Sequence, residues 1–451
     1  MKSSCILAHR LTKILALSLF FRQVTLCGQM TPSQTEANTQ SQQTTTLTIS
    51  LEDAFERARN NSHQLQSAKI SSQLSREDRQ QARAAFLPTV NYFNQYIYTQ
   101  GNGTPSGVFV ANDGVHVYSS QAVVHQELFS PSRRAEYRQA NLAEAVAQAH
   151  VEIAARGLVA TVVQTYYSTV VAQRRLANAQ QGLEEARNFV DITEKQEKGG
   201  EVSRSDVIKA RILLQQRERD TQEGQLALEK AKLSLAVLLF PDFRQDFSVV
   251  DDLQSAKPLG SFEEVQGMAA KLNPDLRAAA LTLEHEKTGV GVARAGYLPS
   301  LNFDYFFGIN ANQFATRPEG IQRMGSSAMA TLIIPVWNWG STRSKVRQAE
   351  LRTRQAQVVL SLTQRQLLAD LHSFYLEAQT AHTQLDSLKE SALFAQDSMR
   401  LMLLRYEAGE ASVLEVVDAQ TTLMQARNAL DDGLARYRLA LANLQTLTGI
   451  L

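Results

Sequence analysis

Apolar residues recur every seven positions through the last part of the chain. One series is mostly large and a second series, three positions later, is mostly small; they comprise Val416, Leu423, Leu430, Tyr437, Leu444 and Leu451, and Ala419, Ala426, Gly433, Ala440 and Leu447. A looser form of both series covers 207–238. A strict seven-residue repeat predicts helices that supercoil left-handedly around their neighbours. Close helix packing would explain why glycine occurs in mid-helix at Gly224 and Gly433.

A longer helical pattern precedes each heptad segment. Prolines are absent from 132–240 and from 336–451, and a proline inside a helix removes a backbone hydrogen bond. Apolar residues in the first stretch follow helical spacing, as at Leu158 and Val162. We therefore predict long helices over about 132–198 and 341–408, each about 100 Å long at a rise of 1.5 Å per residue.

Four segments between the helical patterns alternate in polarity as strands do. Apolar side chains at odd positions from Leu301 to Ile309 alternate with even positions that are polar or Gly, apart from Phe306. The stretch after the last of these segments, with Trp337 and Trp339, has the composition of a membrane interface. We predict strands of about ten residues, which suffices to cross an outer membrane, at 89–98, 115–128, 301–310 and 327–336, with exposed loops at 99–114 and 311–324.

The chain is an internal duplication. Leu87-Pro88 returns as Leu298-Pro299, and Gly200-Glu201-Val202-Ser203 returns as Gly409-Glu410-Ala411-Ser412. Each half therefore runs through short helices, strand, loop, strand, long helix, tip and long helix. We predict a first repeat, an inter-repeat equatorial segment at the waist and a second repeat, at 48–238, 239–260 and 261–451.

The N-terminus has the pattern of an export signal. Basic residues precede an apolar run at 14–21, which is too short to span a bilayer as a helix. We predict a signal peptide at 1–28 and a flexible polar leader at 29–47, with an uncleaved membrane anchor as the alternative. Both cysteines, Cys5 and Cys27, fall in this region. Lipidation of Cys27 is a further alternative.

Charge and motif content argue against several functional classes. The chain carries 46 basic and 45 acidic residues, for a net charge of +1, so no block of charge indicates nucleic acid as a partner. It contains no phosphate-binding loop, no nucleophile elbow and no zinc-protease motif. The eight histidines are scattered. We therefore expect no enzyme activity, no cofactor and no metal site.

The number of strands has a geometric consequence. Four strands cannot close a membrane barrel, and open edges in hydrocarbon leave backbone groups unpaired at a cost of several kcal/mol each. The fold predicted is therefore an α+β membrane protein, in which several copies share a transmembrane β-barrel and extend it with a coiled-coil barrel of long helices. A soluble coiled-coil rod, or a rod with a small soluble β-domain, is the alternative.

The sequence resembles the TolC-type outer-membrane efflux family over nearly all of the mature chain. The duplicated Leu-Pro strand entries and glycine-bearing tips carry the likeness, and its most specific stretch runs from Tyr406 to Leu423. The resemblance implies a homotrimer with a twelve-stranded barrel in outer-membrane lipid and a tunnel across the periplasm. It implies a passive exit duct for tripartite efflux or type I secretion, docked to a periplasmic adaptor and an inner-membrane pump or secretion ATPase.

Two carboxylates are candidates for lining the tunnel entrance. Glu415 and Asp418 lie three residues apart and so share a helix face. Carboxylates are favoured at a helix start in any case, so a solvated charge pair is the alternative. The resemblance implies an acidic ring at the periplasmic entrance, where like charges from several copies would favour cations and raise carboxyl pKa values.

The resemblance also implies residues that hold the entrance closed. Tyr406 and Asp206 match the family's tip tyrosine and its acidic partner, but Ala411 stands where an arginine is expected. Arg204 is the nearest candidate to replace that arginine. The turn residues Gly200, Ser203, Gly409 and Ser412 are expected to form the tips and to leave grooves for the adaptor.

A periplasmic coiled-coil adaptor or scaffold is the alternative function. Adaptors place one helical hairpin between soluble β-domains, whereas this chain has two hairpins and aromatic strands. The sequence does not choose among drugs, metal ions and proteins as the cargo.

Overall fold

The computed structural model describes residues 47–97, 117–254, 258–311 and 324–449. The predicted signal peptide, Cys27 and all of the leader except Leu47 lie outside the described residues, as do nearly all of the two predicted loops. Leu47, the last residue of the predicted leader, is the first residue of a strand.

Eight helices are present in the described part of the chain, four in each half. The two longest have 69 and 67 residues, which confirms both predicted long helices to within about one residue. In order, the helices are α1 Leu51–Asn61, α2 His63–Ala84, α3 Pro131–Gly199, α4 Arg204–Leu239, α5 Phe262–Leu272, α6 Pro274–Ala295, α7 Ser341–Glu407 and α8 Val413–Thr448.

The start of α3 shows how the sequence sets these boundaries. Ser130 has extended backbone geometry, and its hydroxyl accepts a hydrogen bond from the backbone N–H of Arg133. Pro131 occupies the first turn, where its missing N–H has no helical partner to lose. The helix ends at Gly199 and is capped by Gly200, whose φ of 78° is left-handed, a conformation that glycine adopts without steric cost.

Six strands form two sheets in the described residues. A four-stranded antiparallel sheet has the order β2-β3-β5-β6, so β2 and β6 are its edges. The other sheet is a parallel pair, β1-β4. The strands are β1 Leu47–Ile49, β2 Thr89–Ile97, β3 Val117–Phe129, β4 Phe247–Val249, β5 Ser300–Ala311 and β6 Met324–Ile333.

Three of the four long strands agree with their predicted bounds, and the fourth is shifted. The prediction of 327–336 for β6 was wrong by three residues, because pairing already begins with Met324 opposite Ile309 and ends with Ile333 opposite Ser300. Pro335 follows, and proline has no N–H to donate to a strand ladder. Ala311 and Met324, which were predicted to lie in a loop, therefore belong to strands.

The large sheet has one polar face and one apolar face. Tyr305 lies opposite Val124 on β3 and opposite Ala328 on β6, on the face that carries most of the exposed aromatic residues. On the other face, His125 Nδ1 lies 2.6 Å from Asp304 Oδ1. This confirms the predicted alternation of apolar and polar positions, which places the apolar side chains on one surface of the sheet and the polar side chains on the other.

The small parallel sheet was not predicted from the sequence. β1 pairs with β4 of the inter-repeat segment, and the Tyr166 hydroxyl donates a hydrogen bond of 2.7 Å to the Val250 carbonyl beside it. Ile49 and Leu253 are fully buried in the main core together with residues of α3 and α8. The inter-repeat segment is therefore bound to the helices rather than being a loose connection.

The two mid-helix glycines lie where helices approach closely, as the heptad pattern predicted. A Cβ atom on Gly224 would lie 3.5 Å from Cα of Leu176, in the backbone of α3. A Cβ atom on Gly433 would lie 2.5 Å from Leu388 Cδ1, closer than side chains pack.

One helix is apolar enough to raise the question of a membrane span. α3 contains an 18-residue window with a mean hydropathy of 1.2, which is sufficient by length and composition alone. The same helix supplies buried residues such as Val162, Tyr166 and Val170 to the main core. Core packing accounts for part of this apolar content, because 28% of the window is buried.

Candidate functional site

The two helical hairpins meet at their tips around a shared apolar cluster. The cluster draws residues from all four long helices: Ala186, Phe189, Val190, Ala210, Leu213, Ala395, Met399, Tyr406, Val413, Val416, Ala419 and Leu423. Burial of this kind contributes about 25 cal/mol per Å² of apolar surface. The tips are therefore held by packing between the two repeats rather than by a single contact.

Both tips make the same turn. Gly200 and Gly409 have φ values of 78° and 75°, and the next residue in each turn donates its N–H back to the preceding helix, from Glu201 to Gln196 and from Glu410 to Arg405. In each turn the glycine N–H also donates to the carbonyl three residues earlier. The two hydrogen bonds satisfy helix-end carbonyls, and the left-handed position favours glycine.

The helices that leave the two tips start differently. Ser412 forms a reciprocal capping box with Glu415, in which the Glu415 N–H donates to the Ser412 hydroxyl and the Ser412 N–H donates to the Glu415 carboxylate at 2.6 Å. Ser203 makes no such cap with its side chain. Its hydroxyl donates instead to the Asp206 carboxylate at 2.8 Å. All four predicted tip residues are exposed.

The two candidate ring carboxylates are exposed on the same face of α8. The backbone N–H and the hydroxyl of Ser412 lower the pKa of Glu415 below its ordinary value. Within one chain, the pKa of Glu415 is therefore shifted in the opposite direction to the rise that crowding of carboxylates from several copies would produce. Asp418 makes no hydrogen bond or ion pair with another described residue.

Tyr406 is almost completely buried and faces α3. Its hydroxyl donates to Thr193 Oγ1 at 3.2 Å, and its ring centroid lies 5.1 Å from that of Phe189. The Gln196 side chain donates to the Tyr406 carbonyl at 3.3 Å. Burial raises the pKa of the Tyr406 hydroxyl. The tyrosine therefore links the second hairpin to the first within one chain.

Asp206 and Arg204 do not form hydrogen bonds with Tyr406. Asp206 accepts from Ser203 and from Lys209, and these bonds, the Ser203 hydroxyl first, lower its pKa. Arg204 pairs with Glu197 at 3.3 Å inside the first hairpin. The structure thus brings Asp206 and Arg204 to one tip and Tyr406 to the junction behind it.

Sequence reasoning missed the partners of Tyr406. Thr193 lies one heptad after Ala186, on the buried face of α3, so a polar residue in that apolar series was the available signal. Gln196 carried no signal of its own.

Sequence reasoning also missed a polar cluster nearer the waist. Arg174 donates to Asp251 and, at 2.8 Å, to Asp431, and Asn178 donates to Asp431 at 3.0 Å. This cluster joins α3, α8 and the inter-repeat segment. Among the described residues, no group of three His, Cys, Asp or Glu side chains could hold a metal ion.

Comparison with known proteins identifies the family to which the chain belongs. The model of the outer membrane efflux protein family matches residues 54–239 and 265–450. Outer membrane protein TolC of Vibrio cholerae is 21% identical over 405 residues, covering 89% of this chain and 91% of the relative. TolC of Escherichia coli K12 is 21% identical over 419 residues, covering 89% and 82%.

A solved structure shows the same fold. The outer membrane channel CmeC of Campylobacter jejuni superposes with a TM-score of 0.78 at 19% identity, covering 88% of this chain and 85% of that one. Because the family model spans both halves of the chain and the fold agrees over nearly all of it, this chain belongs to the outer membrane efflux protein family and is an outer-membrane efflux channel.

Proposed function

We propose that three copies of this chain close one barrel and one tunnel, and that this tunnel is a passive conduit without catalytic activity. The observation that carries the proposal is the pair of open edges, β2 and β6, on a sheet with an apolar face. In hydrocarbon such edges need partners. Joining β6 of one copy to β2 of the next repeats the same contact around a ring, as head-to-tail interfaces do when they close.

The helices support the same arrangement. Contacts between neighbours place them in the row α7-α8-α3-α4, with α7 and α4 at its ends. Both end helices keep exposed apolar side chains near the tips, including Ile208 and Ile212 on α4 and Phe394 and Leu401 on α7. These surfaces fit a contact between α4 of one copy and α7 of the next.

We propose that Glu415 and Asp418 form the acidic ring at the tunnel entrance. Both carboxylates are exposed on α8, next to a tip that is fixed by the capping box. Several copies around one axis would concentrate negative charge and favour cations. Tyr406 would help to keep the entrance closed through Thr193, with Asp206 and Arg204 as contacts at the neighbouring tip.

Single-channel recording on reconstituted protein tests the ring. The double variant Glu415→Gln with Asp418→Asn removes both charges, while glutamine can still serve in a capping box. We expect its cation preference to fall severalfold. Ser412→Ala is the matched control, because it removes the cap and keeps the charges.

The role of Tyr406 is tested in the same assay. Tyr406→Phe removes the hydroxyl that donates to Thr193, and we expect channels of this variant to open more often.

Unchanged ion selectivity in the double variant would remove the acidic-ring assignment. A loss of selectivity in Ser412→Ala alone would attribute the effect to the shape of the tip instead of its charge.

We propose that both tips dock a periplasmic adaptor that is coupled to an inner-membrane pump or secretion ATPase. Gly200, Ser203, Gly409 and Ser412 are all exposed, and Leu414 presents an exposed apolar side chain beside them. The duct has no energy source among its described residues, so a partner must supply it.

Site-specific photo-crosslinking in cells tests this docking. A photoreactive residue at Ser203, which makes no helix cap, should crosslink to the adaptor, whereas one at Arg365, exposed far from the tips on α7, should not. Crosslinks only at Arg365 would refute docking through the tips. A detergent-independent soluble pool of the whole chain would favour the scaffold alternative.

A further inference from the structure

A groove of about 900 Å³ is lined by residues of α3, α6 and α7 and by Leu447 of α8. It lies where α8 ends and α6 takes its place between α3 and α7. The Asn273 side chain, at the start of α6, donates to the Leu447 carbonyl at 3.3 Å. Small side chains on α6, such as Ala278 and Ala279, leave the groove open. A volume of this size is typical of small-molecule sites.

The groove opens on the side of the helices that the inter-repeat segment and α5 do not cover. On α7, His372 contacts Phe262 of α5, and the groove residue Thr363 lies nine residues earlier. Nine residues are about two and a half turns, so Thr363 is on the opposite face of α7. On α3, His150 lines the groove about 160° around the helix from Tyr166, which contacts the inter-repeat segment.

The middle of the groove offers an apolar surface. Val359 and Leu362 of α7 line it and are 49% and 58% exposed. Buried Ala356 lies on the same helix between these residues and the floor formed by α6. Apolar surface that is removed from water by a ligand contributes about 25 cal/mol per Å². The groove therefore favours a ligand with an apolar body.

Two carboxylates lie at the same end of the groove. The ion pair of Arg294 with Glu350, at 3.2 Å, joins the end of α6 to the first part of α7. Asp275 lies 19 residues before this pair on α6, and Asp370 lies 20 residues after it on α7, so both line the groove at about the same level. Leu447 lies at this end too, where the last turn of α8 adds partial negative charge.

Little positive charge compensates Asp370. Among the described residues its hydrogen-bond partner is the neutral Gln366 side chain, at 2.8 Å, and it forms no ion pair. Arg156, which does not line the groove, interacts electrostatically with Asp275. Arg352 does line the groove, but it precedes Asp370 by 18 residues of α7, which is about 27 Å along the helix. This end of the groove therefore favours a cation.

The fold alone does not account for the charge of Asp370. At the offset of 209 residues that relates Gly200 to Gly409, its counterpart in the first repeat is Thr161, which is neutral. Asp275 lies in the first turn of α6, where carboxylates are favoured in any case. Asp370 lies in the middle of α7, where the helix gives no such preference.

We propose that this groove binds an amphipathic organic cation, with the apolar body against Val359 and Leu362 and the positive group beside Asp275 and Asp370. Such a ligand buries apolar surface while its charge stays compensated, which avoids the cost of burying an unpaired charge. The site is complete within one chain and does not involve the acidic ring or the adaptor. Only its position inside a tunnel rests on the proposed assembly.

Isothermal titration calorimetry with tetraphenylphosphonium and tetraphenylborate tests the proposal, because these ions have nearly the same shape and opposite charge. The full chain is studied in detergent, at the same detergent concentration in cell and syringe. The variant Glu415→Gln with Asp418→Asn serves as the background, so that the tip carboxylates do not bind the cation. We expect one tetraphenylphosphonium per chain and about tenfold weaker binding of tetraphenylborate.

Matched variants of α7 separate charge from apolar contact. Asp370→Asn should weaken tetraphenylphosphonium binding about tenfold. Asp386→Asn removes an exposed carboxylate of the same helix outside the groove and should leave binding unchanged. Leu362→Ala should weaken binding of both ions severalfold, since apolar burial is lost. Leu368→Ala is its control, because Leu368 is also exposed but does not line the groove.

Three outcomes would overturn the proposal. Equal affinity for the two ions would remove the preference for a cation, and equal losses in Asp370→Asn and Asp386→Asn would place the cation elsewhere. Absence of binding by either ion would show that the groove is covered in the assembled protein. Size-exclusion chromatography in the same buffer gives the number of copies, which distinguishes a groove that does not bind from a chain that does not assemble.

Discussion

At the scale of single residues, equivalent positions in the two repeats have acquired different contacts. Ser203 and Ser412 occupy the same place after the two tip glycines, yet only Ser412 caps its helix. Lys209 and Asp418 are likewise equivalent and opposite in charge. Lys209 pairs with Asp206, whereas Asp418 is exposed. At this position the second repeat presents an unpaired negative charge, whereas the first repeat presents a paired positive one.

The capping box makes the start of α8 sensitive to acid. The pKa of Glu415 is lowered in the folded chain, so its stabilising effect is present above the unfolded pKa of about 4.3 and is lost as the pH falls through the lower, folded value. We expect amide hydrogen exchange at 413–416 to accelerate, relative to intrinsic exchange, below about pH 4.

Glu415→Gln provides the control for this pH effect. It keeps a side chain that can accept the Ser412 N–H but does not titrate. An equally strong acid response in that variant would assign the effect to another group.

At the scale of elements, the adjacent residues Arg174 and Arg175 offer a matched comparison. The pair of Arg174 with Asp431 is largely buried, at 20% and 10% exposure of the side chains, whereas Arg175 and Asp432 are about half exposed, at 51% and 50%. Removing one partner of a buried pair leaves an uncompensated charge. Exposed pairs contribute about 0–1 kcal/mol.

We therefore expect Arg174→Met to lower stability by about 3 kcal/mol and Arg175→Met by less than about 1 kcal/mol. Thermal unfolding followed by circular dichroism in detergent measures both. Equal effects of the two variants would show that the cluster does not hold the hairpins together.

The sequence predicts most elements because their periodicity is local. The long helices and three of the four long strands follow from spacing and from proline positions. The predicted bounds of β6 were wrong because its first residues, Met324 and Gly325, carry little alternation between apolar and polar. The β1-β4 pair could not be predicted, since two three-residue strands far apart in the chain meet only through the core around Tyr166.

At the scale of the whole molecule, the proposed acidic ring would need more than one chain. The tip glycines and the exposed carboxylates could be predicted from repeats and helix-start patterns. The contact of Tyr406 with Thr193 could not, because it depends on how two hairpins pack across 213 positions of sequence. How the carboxylates of several copies would be arranged cannot be predicted from one sequence.

Engineered disulfides test the closure by identical copies. In a background without Cys5 and Cys27, we expect Tyr92→Cys on β2, combined with one of Ser326→Cys, Ala328→Cys or Ala330→Cys on β6, to give crosslinked dimers and trimers. All four positions lie on the apolar face of the sheet. Single variants should give no trimer. A ladder that extends beyond three copies, or its absence in every pair, would contradict the assembly.

The opposite charges at positions 209 and 418 have a consequence for recognition. Two hairpins with nearly the same backbone turn offer a visiting protein the same shape twice per chain. Because Lys209 lies behind one tip and Asp418 behind the other, we expect a partner protein built from identical repeated units to bind the two tips with unequal affinity. Duplication of one repeat, followed by a change in the sign of one charge, would thus be enough to give the two tips different affinities for such a partner.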